Sequence, residues 1–117
     1  MPIIDSHIHV YSLNKETSPR IAAPAAPPPE PAEAEDYLRD AKASAIDKAV
    51  FVIPTFYGTD TAYADYVAQK HPERFRIVIF TDFSCDAGRD ILKQQIVKNW
   101  IRGARLHLHT DPRDNGE

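Results

Sequence analysis

The chain has 117 residues, 43% hydrophobic and 26% charged, with a formal net charge of -3. This is the balance of one ordinary globular domain, read as residues 1–117 without subdivision. The acidic surplus leaves no basic stripe for nucleic acid and no polybasic anchor for an anionic membrane, so neither is expected as a partner. The longest apolar run, at 49–53, is far too short to span a bilayer and no leader-like segment opens the chain, so a cytoplasmic location is the default expectation. The single cysteine, Cys85, excludes an intrachain disulfide and a cysteine-built zinc site. It reads as a partly buried thiol with no neighbouring histidine to activate it.

In chain order, residues 3–10 (Ile-Ile-Asp-Ser-His-Ile-His-Val) read as a strand. Positions i and i+2 of a strand share a face, so His7 and His9 project side by side, close enough to hold one divalent metal ion or one anionic substrate group. Six of the ten prolines lie between 19 and 31, which makes 18–33 an extended Pro/Ala-rich loop. Residues 33–46 follow as a helix, with Tyr37, Leu38, Ala41 and Ala45 as its apolar stripe. Residues 48–53 read as a strand whose unbroken apolar run, 49–53, is the mark of a parallel strand covered on both faces. The pattern repeats with a helix over 60–70 capped by Asp60, a stop at His71-Pro72, and a strand over 76–81. A helix over 88–100, striped by Leu92, Ile96 and Trp100, leads to a fourth strand over 103–108. Strands alternating with helices at this spacing define an α/β fold with a parallel sheet built from βαβ units. Ligands of such sheets bind at the carboxyl ends of the strands.

Those ends carry the candidate site. In the first strand Asp5, His7 and His9 are expected on one face with Ile4, Ile8 and Val10 on the other. In the fourth, Arg105, His107 and His109 alternate with Ala104, Leu106 and Leu108. If helices cover the apolar sides, the polar sides face a shared interior. His107 and His109 lead into a loop and have a solvated role as their simpler alternative. A buried arginine must be paired, so Arg105 partners either Asp5, another interior carboxylate, or a substrate carboxylate. Thr55 and Tyr57, in the turn after the second strand, are weaker substrate-binding candidates. Asp82 either orients a histidine or opens a turn.

Four segments together carry a family resemblance: the 3–10 motif, residues 47–60 (Asp-Lys-Ala-Val-Phe-Val through Pro-Thr-Phe-Tyr-Gly-Thr-Asp), His71-Pro72-Glu73-Arg74-Phe75-Arg76, and Ile101-Arg102-Gly103-Ala104-Arg105-Leu106. In order and spacing they resemble the amidohydrolase-related family, in its branch of 2-pyrone-4,6-dicarboxylate lactonase and aminocarboxymuconate-semialdehyde decarboxylase relatives. The resemblance implies that these residues are the N-terminal half, about four β/α units, of a TIM (β/α)8 barrel, with His7 and His9 at the metal or substrate site and Arg105 as the substrate-binding basic residue. It implies a hydrolase acting on a small carboxylate-bearing substrate, first a lactone. The alternative is zinc-dependent nonoxidative decarboxylation on the same scaffold, and an alternative of another class is a noncatalytic scaffold or interaction fragment. One divalent metal ion, zinc before others, is the implied cofactor, with metal-independent action as the alternative.

A complete barrel of this kind needs about 250 residues. The resemblance also calls for a histidine and an aspartate from later strands, so the chain is expected to be a fragment inactive alone. Open strand edges lead us to expect self-association.

Overall fold

The computed structural model describes residues 1–14 and 32–106. Four strands alternate with three helices: β1 (Ile4–Ile8), α1 (Ala34–Ala43), β2 (Lys48–Val52), α2 (Ala62–Lys70), β3 (Phe75–Phe80), α3 (Asp86–Gln95) and β4 (Ile101–Arg105). A short 3-10 turn, Thr55–Tyr57, follows β2. All neighbouring strands are parallel, in the order β1-β2-β3-β4. A sheet whose spatial order follows chain order has no point where the winding reverses. It therefore lacks the crevice of a doubly wound fold and is the four-unit arc of a (β/α)8 barrel expected from sequence.

Strand periodicity decides which side faces the helices. Ala49, Phe51 and Ile53 of β2 and its exit, with Phe75, Ile77 and Ile79 of β3, are all buried against Tyr63, Ala64, Val67 and Ala68 of α2 and Ala34 of α1. The intervening residues Val50, Val78 and Phe80 look inward and are only half-buried. A part-buried polar network ties the sheet to its helices: Asp65 of α2 accepts hydrogen bonds from Trp100 Nε1 at 2.6 Å, Lys98 Nζ at 2.7 Å and Thr61 Oγ1 at 2.8 Å. The turn after β2 ends at Gly58, whose φ of 58° and ψ of -129° suit a residue without a Cβ.

Three local readings are corrected. The third helix begins at Asp86 and stops at Gln95 rather than covering 88–100. Ile96 caps it and is 57% exposed, whereas Trp100 lies beyond the helix, drawn by its bond to Asp65. An i, i+4 pattern cannot reveal that the chain turns between its members. Cys85 is exposed rather than partly buried, at the cap of α3 with its Sγ donating to the Asp82 carbonyl at 3.3 Å.

The third correction bears on the site. Asp5 pairs with Ala49 but Ile8 pairs with Phe51, so β1 spends three residues where β2 spends two. This bulge breaks the alternation. Asp5 lies on the helix side, where its Oδ2 accepts from the Tyr37 hydroxyl at 3.2 Å. Ile8 also packs on that side, while Ile4 is 56% exposed. The expected grouping of Asp5 with the histidines, and of Ile4 with Ile8, is therefore replaced.

Candidate active site at the carboxyl end of the sheet

His7 and His9 leave the last part of β1 together. Their Nε2 atoms are 3.3 Å apart, with the rings edge-on at 87° and 4.9 Å between centroids. His9 Nδ1 lies 2.7 Å from the Val52 carbonyl. A carbonyl only accepts, so Nδ1 carries the ring proton and Nε2 keeps its lone pair. Next to that lone pair, His7 Nε2 is the donor of the 3.3 Å contact.

Arg105, at the end of β4, reaches the same strand tip from the other side. Its Nη2 donates to the Ile53 carbonyl at 2.6 Å. The Ile53 N–H bonds Val78 on β3, so the Ile53 peptide faces β3 and β4 while the Val52 carbonyl faces β1. His9 and Arg105 are thus anchored on consecutive carbonyls at the carboxyl end of β2. Burial lowers the Arg105 guanidinium from its usual range, without neutralising it at physiological pH. Among the described residues its Nε is buried with no hydrogen-bond partner. A charged donor left there without a partner favours an oxyanion as its acceptor. Asp5 does not fill it, because its carboxylate is turned to Tyr37 and to the His7 backbone N–H at 3.4 Å.

The remaining candidates separate. Tyr57 is buried, and its hydroxyl accepts from Ser12 N–H at 3.0 Å and donates to the Ser12 carbonyl at 3.4 Å. It fastens the exit of β1. Thr55 is half-buried, and its carbonyl closes the 3-10 turn on Gly58 at 2.9 Å. Asp82 opens a turn by accepting from the Ser84 N–H at 3.1 Å. His107, His109 and residues 18–31 of the Pro/Ala-rich loop lie outside the described residues. What sequence reasoning missed are the Val52 and Ile53 carbonyls, which any residue supplies, and Tyr37, visible only as one member of the α1 stripe.

The imidazole pair fits half of a metal site. Two nitrogens at the usual zinc–nitrogen distance of about 2.0–2.1 Å in a tetrahedral shell are about 3.3–3.4 Å apart. The observed 3.3 Å matches this. The Val52 carbonyl is the kind of outer partner that fixes a ligating histidine's tautomer. Among the described residues no third His, Cys, Asp or Glu joins the pair, so further ligands would come from elsewhere.

The Tyr37 hydroxyl is pushed up to about 12 by burial, reinforced by the Asp5 carboxylate. A phenol whose folded value lies above its unfolded value near about 10 keeps its full contribution below the unfolded value. That contribution is lost between about 10 and about 12, as the unfolded state releases its proton first. Urea unfolding across this window should show a fall in stability that Tyr37→Phe reduces; an unchanged slope in the variant would remove Tyr37 as its source.

The fold and its site define a (β/α) barrel unit bearing a two-histidine strand end opposite a half-buried arginine. The amidohydrolase family model matches residues 4–117, and the chain belongs to that family. A protein of Pseudomonas putida with the provisional designation 2-pyrone-4,6-dicarboxylic acid hydrolase is similar, at 30% identity and a TM-score of 0.65 over 89% of this chain and 36% of that one. A protein of Acinetobacter baumannii with a like provisional designation, solved with citric acid bound, shares the fold at 22% identity and a TM-score of 0.65 over 99% of this chain and 44% of that one. The chain therefore spans well under half the length of either. No curated protein matches it in sequence.

Proposed function

We propose that this half-barrel carries the first-strand and fourth-strand part of a hydrolase site for a small carboxylate-bearing lactone. The observation that supports this most is the anchoring of His9 and Arg105 on consecutive carbonyls at one strand tip. In this reading Arg105 Nε, without a partner among the described residues, and the remaining N–H donors of the guanidinium receive a substrate carboxylate, which orients the scissile ester. His9, held in one tautomer, presents an Nε2 lone pair beside His7. Together they would hold a divalent ion, which supplies Lewis-acid polarisation of the ester carbonyl when bound. Without it, the His7 Nε2 proton, now given to His9, is the donor available to the same oxygen. Water adds and the ring C–O bond breaks, giving a carboxylate and a hydroxyl. The name of the Pseudomonas putida neighbour agrees with a pyrone dicarboxylate as the substrate class.

The test is hydrolysis of 2-pyrone-4,6-dicarboxylate against an uncharged pyrone, for the protein and for Arg105→Met. Losing a buried charged hydrogen bond to a carboxylate should cost about 30-fold or more in kcat/KM on the dicarboxylate, following the usual worth of such pairs. The uncharged ring should lose far less. Equal losses on both would remove Arg105 as the carboxylate receptor. The ligand-like 3.3 Å spacing also favours a second reading, zinc-dependent decarboxylation. Carbon dioxide release that tracks added zinc, without lactone opening, would replace the first reading by the second.

A further inference from the structure

The bulge in β1 decides which groups meet at the strand tip, and apolar burial alone does not account for it. Asp5 stands opposite Ala49 and Ile8 opposite Phe51, and both partners lie on the helix side. Asp5 and Ile8 thus share a face although they are three residues apart, with Ser6 and His7 taking one place between them. Beyond the bulge the register is set by Ile8 and Val10, both buried in the core, which leaves His7 and His9 exposed on the other face. Were β1 to keep that register back to its start, without a bulge, Ile4 would enter the core in place of Asp5, and the Asp5 carboxylate would stand beside the two imidazoles. Apolar burial favours that strand, because Ile4 is now 56% exposed. Polar contacts upstream of the bulge oppose it. Asp5 Oδ2 accepts from the Tyr37 hydroxyl at 3.2 Å, and Asp5 Oδ1 accepts from the His7 N–H at 3.4 Å. The Ile3 N–H donates to Asp47 Oδ2 at 2.7 Å, and a one-residue slip would put Pro2, which has no N–H, in its place.

From this we infer that Tyr37 is a positioning residue for the histidine pair: through Asp5 it holds the bulge and keeps a carboxylate off the face of His7 and His9. The Tyr37 ring is itself placed by α1, tilted against Phe75 with 6.1 Å between centroids, so its hydroxyl is a fixed donor. The consequence is chemical. With Asp5 withdrawn, His7 and His9 offer two nitrogens and no counter-charge. With Asp5 released, the same strand offers two nitrogens and a carboxylate oxygen, a set that holds a divalent ion more tightly and takes up part of its positive charge. The Tyr37–Asp5 bond therefore lowers affinity for the ion and preserves its power to polarise a substrate carbonyl. This inference rests on the proposed reading of His7 and His9 as ligands of one ion, but the position of Asp5 is measurable without an ion.

The test uses Tyr37→Phe in the full chain, which keeps the ring and removes the hydroxyl. In metal-free protein, nuclear Overhauser contacts of the Asp5 β-protons are expected with the Tyr37 ring in wild type and with the His7 ring in the variant. With zinc alone as the probe, in competition with a chromophoric chelator, the variant is expected to bind at least about tenfold more tightly than wild type, the scale on which a single group tunes a metal site. Adding Asp5→Asn to Tyr37→Phe should return the affinity to the wild-type level, and Asp5→Asn by itself should leave it there, a pattern that a general loss of structure does not produce. Asp5 contacts that stay with the ring at position 37 overturn the inference. So does zinc binding by Tyr37→Phe that is no tighter than wild type, a gain that survives Asp5→Asn, or a comparable loss in Asp5→Asn alone. If neither wild type nor Tyr37→Phe binds zinc, the ligand reading of the pair falls, and the Overhauser contacts alone decide the role of Tyr37.

Discussion

Replacing Gly88 by alanine is expected to destabilise the protein by about 2–4 kcal/mol, against the gain of about 1 kcal/mol that helix propensity alone assigns to alanine inside a helix. The reason is a close approach of two backbones. Gly88 sits in the first turn of α3, and a Cβ built on it would lie 1.7 Å from the Asp82 carbonyl oxygen and 2.4 Å from its carbon. No rotamer relieves a clash with main chain, so either the turn after β3 or the start of α3 must move. The movement has a second cost. Thr81 is fully buried, and its hydroxyl donates to the Gly88 carbonyl at 3.0 Å, so displacing Gly88 strands a buried hydroxyl. Single domains are marginal, at about 5–15 kcal/mol, so the loss should be plain as a lower urea midpoint with an unchanged m-value. A variant as stable as wild type would mean that the turn yields freely, and the tight packing of α3 on β3 would then carry no stability.

Much of the architecture is legible in the sequence because it rests on periodicity. The unbroken run at 49–53 and the helix stripes at Tyr37–Leu38 and Tyr63–Val67 are consequences of which faces are buried, and the structure buries those faces. Residue-level geometry is less legible where the ladder slips. Nothing in Ile-Ile-Asp-Ser-His-Ile-His-Val announces that β1 gains a residue between Asp5 and Ile8, yet that slip decides that Asp5 meets Tyr37 rather than the interior. Arg102 is the same case in β4. A bulge is set by the partner strand and by the helix packed behind it, both distant in sequence. The end of α3 was hidden for a different reason: Ile96 continues the stripe, but the chain leaves the helix to bring Trp100 to Asp65.

The candidate site divides along the same line. Histidines two apart on a strand must share a face, so the pairing of His7 and His9 follows from local geometry. The partner of Arg105 does not, since the sequence offers several carboxylates and the structure uses a main-chain carbonyl. Tyr57 is the opposite case: a hydroxyl in a strand-to-helix turn suits substrate binding, and in the fold its ring stacks on Tyr63 and tilts against Phe56 in the core, with its hydroxyl meeting Ser12. Side-chain chemistry is readable position by position; the supply of backbone acceptors is a property of the fold.

His9 should matter more to metal binding than His7, although the two share one motif. Each offers one nitrogen, and removing either leaves a single imidazole, so both alanine variants should lose at least about 100-fold in zinc affinity. They differ in preorganisation. His9 is fixed by its 2.7 Å bond to Val52, so its Nε2 lone pair is aimed before any ion arrives, whereas His7 Nε2, among the described residues, is bonded to that same lone pair alone and must change tautomer to ligate. A His9→Gln variant tests this, since it keeps a polar group at the site but not the locked tautomer, and it should bind zinc no better than His9→Ala. The corresponding His7→Gln should recover part of the loss, because a side-chain amide oxygen can approach an ion already held by His9. Competition against a chromophoric chelator gives the affinities, and long-range nitrogen–proton NMR should show His9 protonated at Nδ1 in the metal-free protein, with His7 moving from the Nε2-protonated to the Nδ1-protonated form as zinc is added. If instead His9 populates both tautomers and the two glutamine variants behave alike, the Val52 carbonyl does not organise the pair, and the two histidines are equivalent ligands with no order of assembly.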